Sequence, residues 1–179
     1  MSLKIIGGTF KNRNLIFSSD LSTRPLLARA KKSLFDILTP RIVDSAFLDL
    51  FAGFGSVGIE AISRGAAKVV FVDNNTKCVK VIEENLAKLK AAANVVVLPC
   101  NACGKLPLAD KFDIIFIGPP YEMKDLANQI ANAENYLKPD GVIIGQHRFS
   151  EILPEYIGGV KMYRQEKYGD MRLSFYENK

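Results

Sequence analysis

Residues 46–58 constrain the fold more than any other stretch of this 179-residue chain. An apolar run, Ala46-Phe47-Leu48-Asp49-Leu50-Phe51, leads directly into Gly53-Phe54-Gly55-Ser56-Val57-Gly58. The run is short and nearly continuous, as in a strand buried on both faces, and the glycine spacing G-x-G-x-x-G permits a tight turn into a helix. Such a unit needs parallel neighbours and helices to cover the sheet. The following residues supply them. Val69-Val70-Phe71-Val72 reads as a second strand ending at Asp73, and Thr76 to Lys90 as a helix with Cys78, Ile82, Leu86 and Leu89 on one face. Val95 to Leu98 and Phe112 to Ile117 read as strands, Leu126 to Leu137 as a helix, and Gly141 to Ile144 as a fifth strand. Val160 to Tyr163 and Arg172 to Tyr176 form a closing pair. The expected fold is α/β and Rossmann-like: a mostly parallel seven-stranded sheet with an antiparallel terminal strand, its ligands at the strand carboxyl ends.

The first quarter of the chain has a different character. Leu3 to Ile6, the Gly7-Gly8 pair and Phe10 to Phe17 suggest a small β-hairpin. After Thr23-Arg24-Pro25, a helix is expected with Leu27, Ala30, Leu34 and Ile37 or Leu38 on one stripe, ending at Pro40. Residues 1–44 carry eight basic and three acidic side chains, which accounts for the whole net charge of +5. The other 135 residues hold 16 of each sign. Residues 1–44 are therefore predicted to be a basic extension facing a polyanion, with Lys11, Arg13, Arg24, Arg29 and Lys32 as its contacts, and residues 45–179 the main domain.

Composition narrows the class. Hydrophobic residues make up 48% of the chain, enough for a packed core. No apolar run approaches the ~20 residues of a membrane span, and the opening residues lack the apolar segment and cleavage site of a signal peptide, so a cytoplasmic protein is expected. Cys100-Asn101-Ala102-Cys103 spells C-x-x-C, but there is no second such pair, and the single histidine, His147, is distant in sequence. The three cysteines are read as structural or incidental, His147 as a surface or hydrogen-bonded residue, and no metal site is expected.

The glycine spacing and Asp73, taken alone, would also suit a dinucleotide. Asp49 argues otherwise. It lies inside the first strand, behind the glycine loop, where its charge would repel a pyrophosphate and attract the ammonium and sulfonium of S-adenosylmethionine. Asp73 is placed for ribose hydroxyls in either cofactor. The fourth strand ends in Gly118-Pro119-Pro120-Tyr121, where two prolines stiffen the backbone and aim its carbonyls, and the tyrosine offers a face for a base.

These motifs together resemble the RsmD family of 16S ribosomal RNA guanine-N2 methyltransferases. The resemblance runs through Asp49-Leu50-Phe51-Ala52-Gly53-Phe54-Gly55 and Gly58 to Ala66. It includes Ile5 to Gly8 with Lys11 and Arg13, Thr23-Arg24-Pro25, and Tyr168 to Tyr176. It implies a class I methyltransferase fold and cofactor contacts from Asp49, Phe51, Gly53, Gly55, Asp73 and Asn74. Asn101 and Ala102 would meet the adenine, and Gly118 to Tyr121 would form the catalytic motif. It also implies S-adenosylhomocysteine as product, no metal, and a monomer acting on ribosomal RNA or the small ribosomal subunit. The chain departs from the family's pattern at Gly118, where an acidic residue is usual, and at Leu26, where a small polar residue is common. Gly118 keeps open a weakly active or non-catalytic cofactor- and RNA-binding protein. A methyltransferase acting on another nucleic acid or a small molecule is the remaining alternative.

Overall fold

The computed structural model describes residues 3–18, 26–91, 94–120, 122–123 and 125–179. The described elements, in chain order, are β1 (Leu3–Lys4), β2 (Asn14–Leu15), α1 (Ala28–Ile42), β3 (Ala46–Leu50), α2 (Ser56–Ser63), β4 (Lys68–Val72), α3 (Thr76–Leu89), β5 (Asn94–Leu98), β6 (Phe112–Ile117), α4 (Leu126–Glu134), β7 (Leu137–Arg148), β8 (Tyr156–Ile157), β9 (Val160–Tyr168) and β10 (Met171–Asn178). β1 and β2 pair as the expected N-terminal hairpin. The main sheet runs β5-β4-β3-β6-β7-β10-β9-β8. The first five strands in that order are parallel, and β10 enters antiparallel between β7 and β9. An eighth, two-residue edge strand, β8, joins the seven expected; two residues are too few to carry a periodic signal.

Alternation along the strands divides the core into two layers. Phe47, Val69, Ile114, Ile144, Leu173 and Phe175 face α1, α2 and α3. Leu48, Val70, Ile115, Ile143 and Tyr176 face α4, meeting Leu126, Ile130 and Ala133. Ile5, Leu15 and Leu26 belong to the first of these layers, so the N-terminal residues share a continuous core with the sheet. Gly58 lets α2 lie close on β4: a Cβ there would sit 2.3 Å from the Phe71 ring. Among the described residues no helix is long and apolar enough to cross a membrane.

Helix α1 departs from the sequence expectation in three ways. It continues through Pro40 to Ile42. A proline in the last turn removes only the bond to the Asp36 carbonyl, on an exposed face of the helix, while Ile42 anchors the end in the core at 3% exposure. Leu27 precedes the helix and is exposed, so the buried stripe is Ala30, Leu34, Leu38 and Ile42, with Phe35 beside it. Lys31, one of the eight basic residues of the segment read as a polyanion-facing extension though not among the five contacts named there, is 1% exposed. Its Nζ donates to Lys4 O at 2.9 Å and Ser56 O at 3.4 Å and lies 3.5 Å from a Glu60 carboxylate oxygen. The same carboxylate accepts from Ile6 N (2.9 Å), Gly7 N (2.7 Å) and Arg64 Nε (2.9 Å). Burial lowers the Lys31 pKa, and Glu60 opposes the shift. One buried acid thus fastens the hairpin, α1 and α2 together. Two other boundaries also move: α4 stops at Glu134, and the strand expected from Gly141 begins at Leu137, pairing with Phe112.

Candidate active site

The sheet reverses its winding between β3 and β6. From β3 the chain crosses through α2 to β4 on one side, and from β6 through α4 to β7 on the other. The two connections diverge and leave a crevice above the carboxyl ends of β3 and β6, where open α/β sheets bind their ligands. Both motifs singled out in the sequence flank this crevice. Leu50 pairs with Ile117, and Gly118 N donates to Leu50 O at 3.2 Å, setting Gly118-Pro119-Pro120 beside the glycine loop.

The loop after β3 is held in a left-handed path. Phe51, Gly53 and Gly55 have φ of 59°, 55° and 73°. Glycine accepts such values without strain, whereas Phe51 keeps its value with its ring packed against the α4-side core. Ala52 N bonds to Val72 O at 3.1 Å, and Gly55 N to Ala52 O at 2.8 Å. Asp73, at the end of β4, spans the loop: one carboxylate oxygen accepts from Gly53 N and the other from Asn75 N, both at 2.8 Å. Asn74 is exposed beside it. Asn101, in the segment after β5, accepts from Cys103 N at 3.0 Å through its side chain, and Ala102 is buried. The predicted cofactor residues Asp49, Phe51, Gly53, Gly55, Asp73, Asn74, Asn101 and Ala102 thus all lie at the carboxyl ends of β3, β4 and β5.

Asp49 is the unusual group. Its carboxyl is 1% exposed and accepts one bond, from Gly58 N at 2.8 Å. Among the described residues no cation pairs with it within ion-pair distance. Burial pushes its pKa up to about 8; the Gly58 amide opposes this and the Asp73 charge adds to it. A buried carboxyl without a counter-charge, beneath a loop of left-handed backbone, suits a ligand that brings positive charge and draws the group into its ionised form.

The catalytic-motif residues are only partly described. Pro119 is buried, Pro120 is exposed with its carbonyl accepting from Met123 N at 2.9 Å, and Tyr121 lies outside the described residues. Gln146 is a site residue that sequence reading missed. It stands one residue past Gly145, the partner of Ile117, and its Oε1 lies 3.5 Å from where a Cβ on Gly118 would be. The available signal was a polar residue closing the apolar run Val142-Ile143-Ile144.

Other predicted residues fall elsewhere. His147 is buried at 2% exposure, with Nε2 2.8 Å from Ser174 Oγ, so it is a hydrogen-bonded core residue and not a surface one. Burial lowers its pKa. Cys78, Cys100 and Cys103 form no disulfide, and burial raises the pKa of both Cys100 and Cys103. Among the described residues no group of acids, cysteines and histidine could hold a metal. Lys11, Arg13, Arg29 and Lys32 are exposed, and Arg24 lies outside the described residues. Arg29 and Lys32 stand near the start of α1, close to where Lys31 reaches the first residue of α2. The hairpin carrying Lys11 and Arg13 is tied instead to the far end of α2, with Thr9 N on Ser63 O at 2.7 Å, and Lys88 near the far end of α3 holds Asn14 O. These two cations therefore sit at the opposite end of the helices from the crevice.

The sheet order, the antiparallel strand inserted before the last long one, and the buried acid behind a glycine loop define a class I, Rossmann-like S-adenosylmethionine-dependent methyltransferase. The chain belongs to the family described as Conserved hypothetical protein 95, which matches residues 3–177. It is 30% identical to Ribosomal RNA small subunit methyltransferase D of Escherichia coli, over 98% of this chain and 89% of the relative. The protein of that name in Haemophilus influenzae is 35% identical, with 79% of this chain and 76% of the relative covered. Among solved structures, yhhF of Escherichia coli, assigned as a methyltransferase, superposes with a TM-score of 0.88 at 30% identity, covering 100% of this chain and 99% of that one. The RsmD resemblance read from the motifs thus holds across the whole chain.

Proposed function

We propose that this enzyme methylates the exocyclic N2 of a guanine in 16S ribosomal RNA, acting as a cytoplasmic monomer on the RNA or the small ribosomal subunit. The observation that carries the reading is the Gly118-Pro119-Pro120 turn bonded to the end of β3 beside the glycine loop, in a chain whose relatives are named for the small-subunit RNA. S-adenosylmethionine, when bound, supplies a methyl group on a sulfonium. Asp49 faces its positive charge, Gly53 and Gly55 admit it closely, Asp73 and Asn74 take the ribose, and Asn101 and Ala102 the adenine. A guanine amine is a weak nucleophile because its lone pair is conjugated with the ring. Acceptors for its hydrogens favour the tetrahedral form that attacks. The Pro119 carbonyl serves here, with the Gln146 amide oxygen on the side where Gly118 offers no carboxylate.

Asp73→Ala is expected to weaken S-adenosylmethionine binding by about 1.5–3 kcal/mol, the scale of a hydrogen bond to a charged group. Calorimetry reads the change. Binding of a nicotinamide dinucleotide in place of S-adenosylmethionine would overturn the cofactor assignment.

Gly118→Asp tests the chemistry. Restoring a charged acceptor is worth about 1.5–3 kcal/mol, or roughly ten- to hundredfold in rate. Gly118 lies outside the left-handed region, so its backbone accepts a side chain, but the new Cβ would sit 2.9 Å from Phe116 Cε1, and that ring must shift slightly. The expected result is slow guanine methylation by the native chain and a faster single turnover by the variant, with cofactor affinity unchanged. Small subunits lacking the modification are the substrate. Methylation by neither protein would favour a non-catalytic binding protein, and a slower variant would show that the space at Gly118 is needed.

A further inference from the structure

The C-terminal hairpin carries a charge arrangement that the fold leaves uncompensated. Lys167 on β9 and Arg172 on β10 are direct cross-strand partners. Like charges in that relation repel and weaken a sheet. Both lean on one aromatic ring: Lys167 Nζ is 3.6 Å and Arg172 Cζ 4.1 Å from the centroid of Phe149. The ring is held in turn by the backbone, since Phe149 N donates to Asp170 O at 2.7 Å. Among the described residues neither cation has a carboxylate within ion-pair distance, Asp170 in the intervening turn included. The ring quadrupole steadies each cation but leaves their mutual repulsion in place.

Position gives this cluster its meaning. β7 runs parallel to β6, so Arg148 and Phe149 emerge at the same rim as Gly118. β10 begins and β9 ends at that rim, because Met171 pairs with Arg148 and with Tyr168. Arg172 is two strand spacings from β6, about 10 Å. Lys167 and Arg172 alternate with the core-facing Tyr168 and Met171 and so leave from the α4 face. Arg29 and Lys32, on α1, lie across the sheet.

We infer that Lys167 and Arg172, held in place by Phe149, bind the phosphate backbone of the substrate RNA beside the target nucleotide. The inference rests on the reading that the substrate is RNA. With a cation against it on each count, the Phe149 ring acts as a positioning residue and not as a stacking platform. Phosphodiester groups set against the two cations offset their repulsion and form charge-assisted hydrogen bonds, one phosphate to each cation.

The test is the salt dependence of binding to transcribed small-subunit ribosomal RNA, with cofactor affinity and melting temperature as controls. For Lys167→Gln with Arg172→Gln, the slope of log affinity against log salt should fall by about 1.4–1.8, since each phosphate contact contributes about 0.7–0.9. Lys167→Gln alone, an exposed change that leaves the core intact, should lose about half of that. Phe149→Leu should weaken binding less than the double variant. If the native chain binds RNA with a salt slope that the double variant retains, the inference fails while the RNA reading stands. If the native chain shows no salt-dependent RNA binding, the RNA reading fails, and this inference with it.

Discussion

Asp49→Asn is expected to weaken S-adenosylmethionine binding, leaving it measurable at higher cofactor concentration, and to make the unliganded protein more stable above neutral pH. The carboxyl is buried, accepts a single amide bond, and has its pKa pushed up to about 8, first by burial. In the unfolded chain it titrates near the ordinary 3.8. Between those values the native protein holds a proton that the unfolded chain has released. Stability of the empty protein therefore falls as pH rises through that window, by up to about 1.4 kcal/mol per pH unit, and levels off above it. Asparagine does not titrate, so the variant should lose this slope in urea unfolding measured from pH 5 to 9. Cofactor binding has the opposite sign. A cationic ligand favours the ionised carboxylate, so below pH 8 binding to the native chain releases a proton, and affinity rises with pH by up to about tenfold per unit. Calorimetry in buffers of different ionisation enthalpy counts that proton. Comparison with Asp49→Asn removes the cofactor's own titration, so equal proton release by both proteins would rule Asp49 out as the linked group.

Glu60→Ala is expected to remove about 3–5 kcal/mol of stability, the usual loss when one partner of a buried ion pair is deleted. Total stability of a domain this size is about 5–15 kcal/mol, so the variant should be marginal at growth temperature. The loss has two parts. Lys31, at 1% exposure, loses its counter-charge, and the amides of Ile6 and Gly7 lose their acceptor. Adding Lys31→Met should recover a substantial share by removing the stranded cation, while the two amides stay unpaired. Denaturant unfolding of the single and double variants forms the cycle, and hydrogen exchange at Ile6 and Gly7 should accelerate in both. A loss below about 1 kcal/mol, on the scale of an exposed pair, would mean that water reaches this network.

Much of this molecule is legible in its sequence because its signals are local. Strand–helix alternation from Ala46 onward, the glycine loop with Asp49 behind it, and Asp73 at the next strand end all follow from neighbouring residues. Periodicity over a few turns predicts which side of an element is buried, and a parallel sheet allows few ways of joining such elements. The same locality explains the errors. Pro40 is a helix breaker by its own chemistry, yet two residues beyond it Ile42 is drawn into the core and carries the helix past it.

Charge was the least local property of all. The basic excess of residues 1–44 is a fact of composition, but tertiary structure decided what each cation does. Lys31 was turned inward by Glu60, an acid 29 residues away in sequence, because a buried carboxylate satisfies it better than any neighbour on its own helix. Lys11 and Arg13 were carried to the far end of α2 by the docking of their hairpin on Ser63. Gln146 came to stand beside Gly118 only through the pairing of β6 with β7. The sequence by itself determined the sheet, its glycine loop and the acid beneath it, since backbone propensity and hydrophobic period act over short range. Which charges meet solvent, ligand or one another was decided by the fold alone, because burial and Coulomb interaction depend on distance in space and not along the chain.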